Sequence, residues 1–361
     1  METKVSRDSR LFSGARIGDL EIENRLAVSP MTRVSATHEG LATDDMVAYY
    51  ESFARGGFGL IITEGTYPDE AHGQGYWNQP GLANDEQAEA WRRVTEAVHG
   101  QGARIFAQLM HAGALVQGNR FRDETVGPSA VPPKGKKMEM YGGSGDFALP
   151  GELGHEGIGE VIDGFTAAAV RAREAGFDGV ELHGANGYIL DQFLTDYTNR
   201  RADEYGGPVE NRVRLSVEVA RAVRRAVGSD FPVGIRVSQA KVNDPDHAWD
   251  GGESDAAVIF GSLAETGLDY IHVTEPEAAK PAFGEGPTLA ALARRHGGGL
   301  AVIANGSLED PREAEGAVRE EADLVALGKG ALANMDWPNR VREERPLEDF
   351  DPQVLESLRR L

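Results

Sequence analysis

The chain has 361 residues, more than the usual single-domain range of about 100–200, which leaves two small domains or one large barrel or sheet. Its 40% apolar, 26% charged and 7% aromatic residues describe a folded globular protein and exclude disorder as the main state. Thirty-seven basic against 58 acidic residues leave a net charge of −21, a field that repels nucleic-acid backbones and anionic membranes, and zero cysteines remove disulfides, thiolate zinc sites, iron–sulfur clusters and cysteine nucleophiles.

The first dozen residues hold no signal-peptide run of roughly 7–15 apolar residues, and no window approaches a membrane span, so the cytoplasm is the expected compartment. Residues 1–25 form a head whose apolar segments 17–20 and 21–22 flank a turn at Gly18-Asp19; it is expected to cap the bottom of the fold. Short apolar runs bounded by turn signals then predict eight buried strands, at 26–29, 59–63, 104–109, 179–183, 233–238, 270–274, 300–304 and 324–327. Between them lie segments of helical period. Residues 85–100 align Ala88, Trp91, Val94, Thr95 and Val98, residues 159–175 end at Gly176, and residues 208–227 carry a stripe from Val213 to Val227.

Strands buried on both faces and alternating with helices imply a parallel sheet with right-handed crossovers. Eight such units in about 300 residues fit a closed α/β barrel, the (β/α)8 or TIM barrel, better than an open sheet. The expected organisation is therefore one barrel domain over 1–361, with the head as cap and one long insertion, 118–157, between strand 3 and its helix. Loops after strands lie on the catalytic face of such a barrel, so the insertion is expected to be a lid or pocket wall.

The same rule directs attention to the polar residues at the strand ends. Strands 7 and 8 run into Asn305-Gly306-Ser307 and Gly328-Lys329-Gly330, turns that can offer backbone N–H groups and a cation to a phosphate; the alternative is that these glycines only permit tight turns. No dinucleotide-binding glycine fingerprint is present. Strand 4 ends in His183, Asn186 and Tyr188. Two neutral donors there can grip a carbonyl or phenolate oxygen, and Tyr188 can deliver a proton. A metal is the weaker reading, because the cluster supplies one imidazole and asparagine is a poor transition-metal ligand.

These residues match a family. The block from Gly176-Phe177-Asp178-Gly179-Val180-Glu181-Leu182-His183 through Asn186-Gly187-Tyr188, Asp191-Gln192-Phe193-Leu194, Asn199-Arg200-Arg201, Asp203-Glu204-Tyr205-Gly206-Gly207 and Glu210-Asn211-Arg212 stands in register with Pro30-Met31-Thr32-Arg33 and Gln108-Leu109-Met110-His111-Ala112-Gly113. The chain resembles the old yellow enzyme family of FMN-dependent ene-reductases over almost its full length.

The resemblance implies FMN as cofactor and NADPH or NADH as hydride donor. It implies that Pro30, Met31 and Thr32 line one side of the flavin, with the Thr32 hydroxyl at O4, and that Gly65 lets the ring approach strand 2. Gln108 would bond the pyrimidine edge, Arg236 would sit near N1 and O2, and Gly306, Ser307, Gly328 and Lys329 would hold the phosphate. His183 and Asn186 would bind the substrate oxygen while hydride from N5 reaches the β-carbon and Tyr188 protonates the α-carbon. The Asp203–Gly207 and Glu210–Arg212 motifs are expected to organise the loop, and Trp249, Tyr141 and Phe283 to pack ordinarily in theirs.

Two departures stand out. Lys329 occupies a position where many relatives carry arginine, so the phosphate would meet a point charge. Thr32 stands where one subgroup has cysteine, and the lack of cysteine together with the chain's length sets it apart from longer, cluster-containing relatives. The expected activity is NAD(P)H-dependent reduction of a small electron-poor alkene activated by a carbonyl or nitro group. No nucleic-acid or membrane partner is expected, and homo-oligomerisation is left open. The same fold can run a nitro or nitrate-ester reductase or a desaturase. Readings from other classes are a non-flavin aldolase or isomerase using Lys329 or Lys241 and a non-catalytic flavin binder; the former is disfavoured because no lysine is predicted near His183.

Overall fold

A computed structural model describes residues 9–355; residues 1–8 of the expected head lie outside the described residues. Eight strands close into a parallel barrel: β1 Leu26–Val28, β2 Leu60–Ile62, β3 Arg104–Leu109, β4 Gly179–Asn186, β5 Val233–Lys241, β6 Tyr270–Thr274, β7 Ala301–Asn305 and β8 Leu324–Leu327. Each strand pairs with its sequence neighbours, and β8 closes on β1. These are the eight runs expected from the sequence. The largest differences are at β4 and β5, which run three residues further than expected because they continue to pair beyond an irregularity between Gly184 and Asn186.

Around the barrel lie α1 Asp44–Arg55, α2 Asp85–His99, α3 His155–Glu174, α4 Arg214–Val227, α5 Glu253–Ala264, α6 Leu289–His296, α7 Pro311–Glu320 and α8 Trp337–Arg342. Asn84 caps α2 by accepting from the Gln87 N–H, and Asp85 and Glu86 favour its positive end. The expected stripe of α2, from Ala88 to Val98, is buried. Two helical expectations are corrected. The helix expected over 208–227 is divided into Val209–Arg212 and α4 at Val213, whose ψ of −11° opens the turn. α3 begins at His155, four residues early, since Gly157 and Gly159 are tolerated in opening turns whose Ile158 and Val161 are already buried; the insertion therefore ends at 154.

The head forms a hairpin, Ala15–Ile17 with Leu20–Ile22, turning at Gly18-Asp19 as expected. Its Ala15, Ile17 and Ile22 pack on barrel side chains including Leu60, Ile62, Phe106, Tyr270 and Ile303, so it plugs the end opposite the functional rim. Inside, the Phe106 and Tyr270 rings lie 5.8 Å apart and fill the lumen. Gly234, opposite Tyr270, makes that possible: a Cβ there would stand 2.2 Å from the tyrosine ring.

Glu64, just past β2, positions the loop after β1. Its wholly buried carboxylate accepts from the backbone N–H of Arg33 and Val34 at 2.8 and 2.7 Å, holding Val34 at φ 48°. Burial outweighs these bonds and pushes its pKa up from 4.5 to about 7. Among the described residues no helix is long and apolar enough to cross a membrane.

Gly234→Ala is expected to cost about 2 kcal/mol by overpacking the lumen, read as a lower denaturant midpoint; an unchanged midpoint would contradict the packing account. Glu64 holds its proton more tightly folded than unfolded, so stability is fully present below pH 4.5 and falls as pH rises to about 7, by about 3 kcal/mol. Glu64→Gln retains an acceptor and should erase that slope in pH-dependent unfolding; an identical slope in both proteins would refute it.

Candidate active site

The paired extension of β4 and β5 builds the centre of the site. Beyond the irregularity Asn186 adopts φ 62° and its N–H donates to Ser238 Oγ at 2.8 Å, while the Gly187 N–H donates to Asp191 Oδ2 at 2.7 Å. Lys241 Nζ, buried beneath the turn, meets the other Asp191 oxygen at 2.6 Å, and Gln192 ties the Gly187 carbonyl to that of Ala112. The turn 186–188 is therefore clamped from below. It presents Tyr188 at the head of a short helix, Ile189–Leu194, with its ring centroid 4.9 Å from that of His183.

His183 is buried and its Nδ1 has no hydrogen-bond partner. Burial first, then the charge of Arg236 and the nearby His272, hold its pKa well below the ordinary value, so the ring is neutral and ready to bond an oxygen. Burial pushes Tyr188 up to about 12, so it carries its proton at neutral pH. Its hydroxyl lies 2.5 Å from that of Tyr76, a residue from the loop after β2 that the sequence reading did not single out. The insertion covers this group: Met138, Tyr141 and Phe147 pack with Tyr76, Met110, Leu115 and Tyr188, as a pocket wall should. Tyr141 packs edge-on against Tyr76, and Trp249 packs on Phe260 and Phe283. Arg201 anchors the insertion, donating to the Pro128 and Leu153 carbonyls and pairing with Asp203, which gives the Asp203–Gly207 motif its organising role.

A second polar group lies at the ends of β3, β5 and their neighbours. Gln108 donates to Glu181 at 2.9 Å, and that wholly buried carboxylate also accepts from Tyr270 and His272. Burial pushes Glu181 up, but His272, Arg236 and Gln108 together hold its pKa below the ordinary value. Arg236 donates through Nη2 to Ser29, Thr274 and Asn305, and its buried Nε has no partner. Burial lowers its pKa to about 10, which leaves it charged. Pro30, Met31 and Thr32 are half-buried at the end of β1, and at Gly65 a Cβ would stand 2.5 Å from Met110 Sδ, so the end of β2 is bare backbone by necessity.

At the β7 end Gly306 takes φ 138° against the Glu275 carbonyl, and the Ser307 hydroxyl donates to the Pro276 carbonyl. Gly328 lies beside Met31, which joins the β8 turn to the β1 end, and Lys329 has the Phe350 ring 6.0 Å from its Nζ. The structure thus sets His183, on β4, against Tyr188 of the 186–188 turn and gathers Gln108 and Arg236 about Glu181, an acid hidden inside an apolar run. Lys241, expected in a loop, lies at the end of β5, where it pairs in register with Asn186. Its ion pair with Asp191 keeps it from acting as an aldolase nucleophile.

A model of the family described as NADH:flavin oxidoreductase / NADH oxidase matches residues 10–348. An NADH oxidase of Thermoanaerobacter brockii is 36% identical over 348 residues; the match covers 94% of this chain, which spans about half the length (51%) of that protein. Among solved structures, an old yellow enzyme homologue from Zymomonas mobilis superposes with a TM-score of 0.87 at 31% identity over 96% of both chains. Morphinone reductase in complex with tetrahydroNAD superposes with a TM-score of 0.84 at 32% identity, over 96% of this chain and 93% of that one. The chain belongs to the NADH:flavin oxidoreductase / NADH oxidase family, the old yellow enzyme family of FMN-dependent oxidoreductases.

Proposed function

We propose that the protein is an NAD(P)H-dependent ene-reductase that reduces small alkenes activated by a carbonyl or nitro group. The observation that carries this reading is the contact of a neutral His183 ring on β4, its Nδ1 unpartnered, with a protonated Tyr188 on the clamped turn, at the same barrel rim as Arg236 and the bare strand end at Gly65. The residues present fit FMN: Arg236 has an unpartnered buried Nε and keeps its charge, Gly65 leaves no side chain at the β2 end, and Lys329 forms no ion pair among the described residues.

On this reading Pro30, Met31, Thr32 and Gly65 receive the ring, Gln108 and Arg236 bond its pyrimidine edge, and Gly306, Ser307, Gly328 and Lys329 hold the phosphate. Bound there, FMN supplies hydride transfer between the nicotinamide and the alkene. The protein supplies the rest. His183 and Asn186 hold the activating oxygen and stabilise the negative charge that grows on it, which lowers the barrier. Tyr188 gives its proton to the α-carbon. With one set of oxygen-binding donors, nicotinamide and alkene take turns in the pocket, so the kinetics are ping-pong.

In anaerobic stopped-flow mixing, NADPH or NADH should bleach the flavin and cyclohexenone should restore its colour. Tyr188→Phe should bleach at the native rate and recolour at least tenfold more slowly, the usual range for loss of a general acid being about 10²–10⁴; equal slowing of both steps would contradict the assignment. Lys329→Ala should weaken FMN binding about tenfold by flavin fluorescence, as loss of one charged hydrogen bond predicts, and unchanged affinity would remove Lys329 from the phosphate site.

A further inference from the structure

The turn that carries Tyr188 faces a second phenol which the reaction, as described so far, does not use. Tyr76 is buried, and its hydroxyl lies 2.5 Å from that of Tyr188, across 112 residues of sequence. Its placement is built. Gln79 accepts from the N–H groups of Gly75 and Tyr76 through Oε1, at 2.7 and 3.2 Å, and donates through Nε2 to the Gly65 carbonyl at 2.7 Å. The loop bearing Tyr76 is thereby fixed to the same β2 end that the flavin is to approach. Tyr141 of the lid packs edge-on against the Tyr76 ring, with centroids 5.1 Å apart.

One of two hydroxyls at 2.5 Å must donate to the other. Among the described residues the Tyr76 hydroxyl has one hydrogen-bond partner, Tyr188, and is otherwise packed among apolar and aromatic side chains. If Tyr188 donated, its proton would point away from the substrate and the Tyr76 proton would be buried with no acceptor, at a cost of about one lost hydrogen bond. If Tyr76 donates, both protons have a use.

We infer that Tyr76 is a positioning residue for the proton transfer: it donates its hydrogen bond to the Tyr188 oxygen, turns the Tyr188 proton toward the substrate, and stabilises the phenolate left behind. The inference rests on the proposed role of Tyr188. In the step, the Tyr188 O–H bond breaks and a C–H bond forms at the alkene's α-carbon, while the O–H electron pair remains on the Tyr188 oxygen. The hydride added at the β-carbon comes from the nicotinamide-reduced flavin. The new phenolate sits among Tyr76, Met110, Leu115 and Phe147, where Tyr76 is its near hydrogen-bond donor. Burial raises both phenols, so both hold their protons at neutral pH and one is available for transfer.

The test places a fluorinated tyrosine at position 188 of the holoenzyme, which brings its titration into an accessible range, and follows the 19F resonance against pH with Tyr76 intact and in Tyr76→Phe. Phenylalanine keeps the ring that packs on Tyr141 and loses only the hydroxyl. The expected result is a titration displaced upward by about one pH unit, the size of one hydrogen bond to a charged group. Recolouring by cyclohexenone, measured on enzyme with ordinary tyrosine at 188, should slow about tenfold while bleaching by NADPH stays within twofold. 4-Aminophenylalanine at position 76, which restores a donor that cannot become an anion, should return the 188 titration toward the native pH. An undisplaced 19F titration, or failure of the amine to restore it, overturns the role of Tyr76. A displaced titration in an enzyme that cyclohexenone cannot recolour overturns the ene-reductase reading and leaves the Tyr76–Tyr188 hydrogen bond standing.

Discussion

A buried carboxylate underlies the functional rim. Glu181 lies wholly inside the barrel, where an unpaired charge would be prohibitively costly, and it is tolerated because Gln108, Tyr270 and His272 donate to it and Arg236 lies close enough to hold it ionised. The donors come from β3 and β6, and Arg236 of β5 lies within reach of the same charge, so one carboxylate ties side chains on β3 and β6 and balances the cation on β5. With its amide turned by Glu181, Gln108 has a single orientation. Balanced by that same charge, Arg236 can remain a cation in an interior that would otherwise depress it further. The groups assigned to the flavin thus follow from a layer of polar contacts beneath them.

A second layer supports the groups assigned to the substrate. The Asp191–Lys241 pair and Gln192 hold the 186–188 turn from below, and the lid, tied through Arg201, closes over it with Tyr141 and Met138. The ion pair does not touch the proposed chemistry, yet it fixes the turn that carries Tyr188, while the lid brings Tyr141 and Phe147 against the two phenols. Protein-wide charge works the other way. A net charge of −21 opposes an anionic cofactor, so a phosphate at the proposed site would depend on local N–H groups and on Lys329.

Much of this was legible in the sequence because barrel strands are buried on both faces. A strand such as β8, Leu-Val-Ala-Leu, reads as an unbroken apolar run, and the turns between units are marked by glycine. His183, Asn186 and Tyr188 could be singled out because they stand at a strand end inside a dense motif. What could not be read depends on distance in sequence. Tyr76 sits in a glycine-rich loop with no periodicity, and only the fold brings it to Tyr188. Lys241 was placed in a loop because β5 was expected to stop at 238, when pairing past the irregularity carries it to Asn186. Glu181 was hidden for the opposite reason: an acid within an apolar strand gives no sign that its partners lie across the lumen.

The central claim is that the ends of these strands form one flavin site with a proton donor above it. A crystal structure of the FMN-loaded protein tests it most directly. The account predicts the flavin at the barrel rim, its pyrimidine edge bonded by Gln108 and Arg236, its phosphate against Gly306, Ser307, Gly328 and Lys329, and His183 and Tyr188 facing the open side of the ring. Flavin bound elsewhere, or a phosphate that makes no contact with Lys329 and its neighbouring turns, would contradict it.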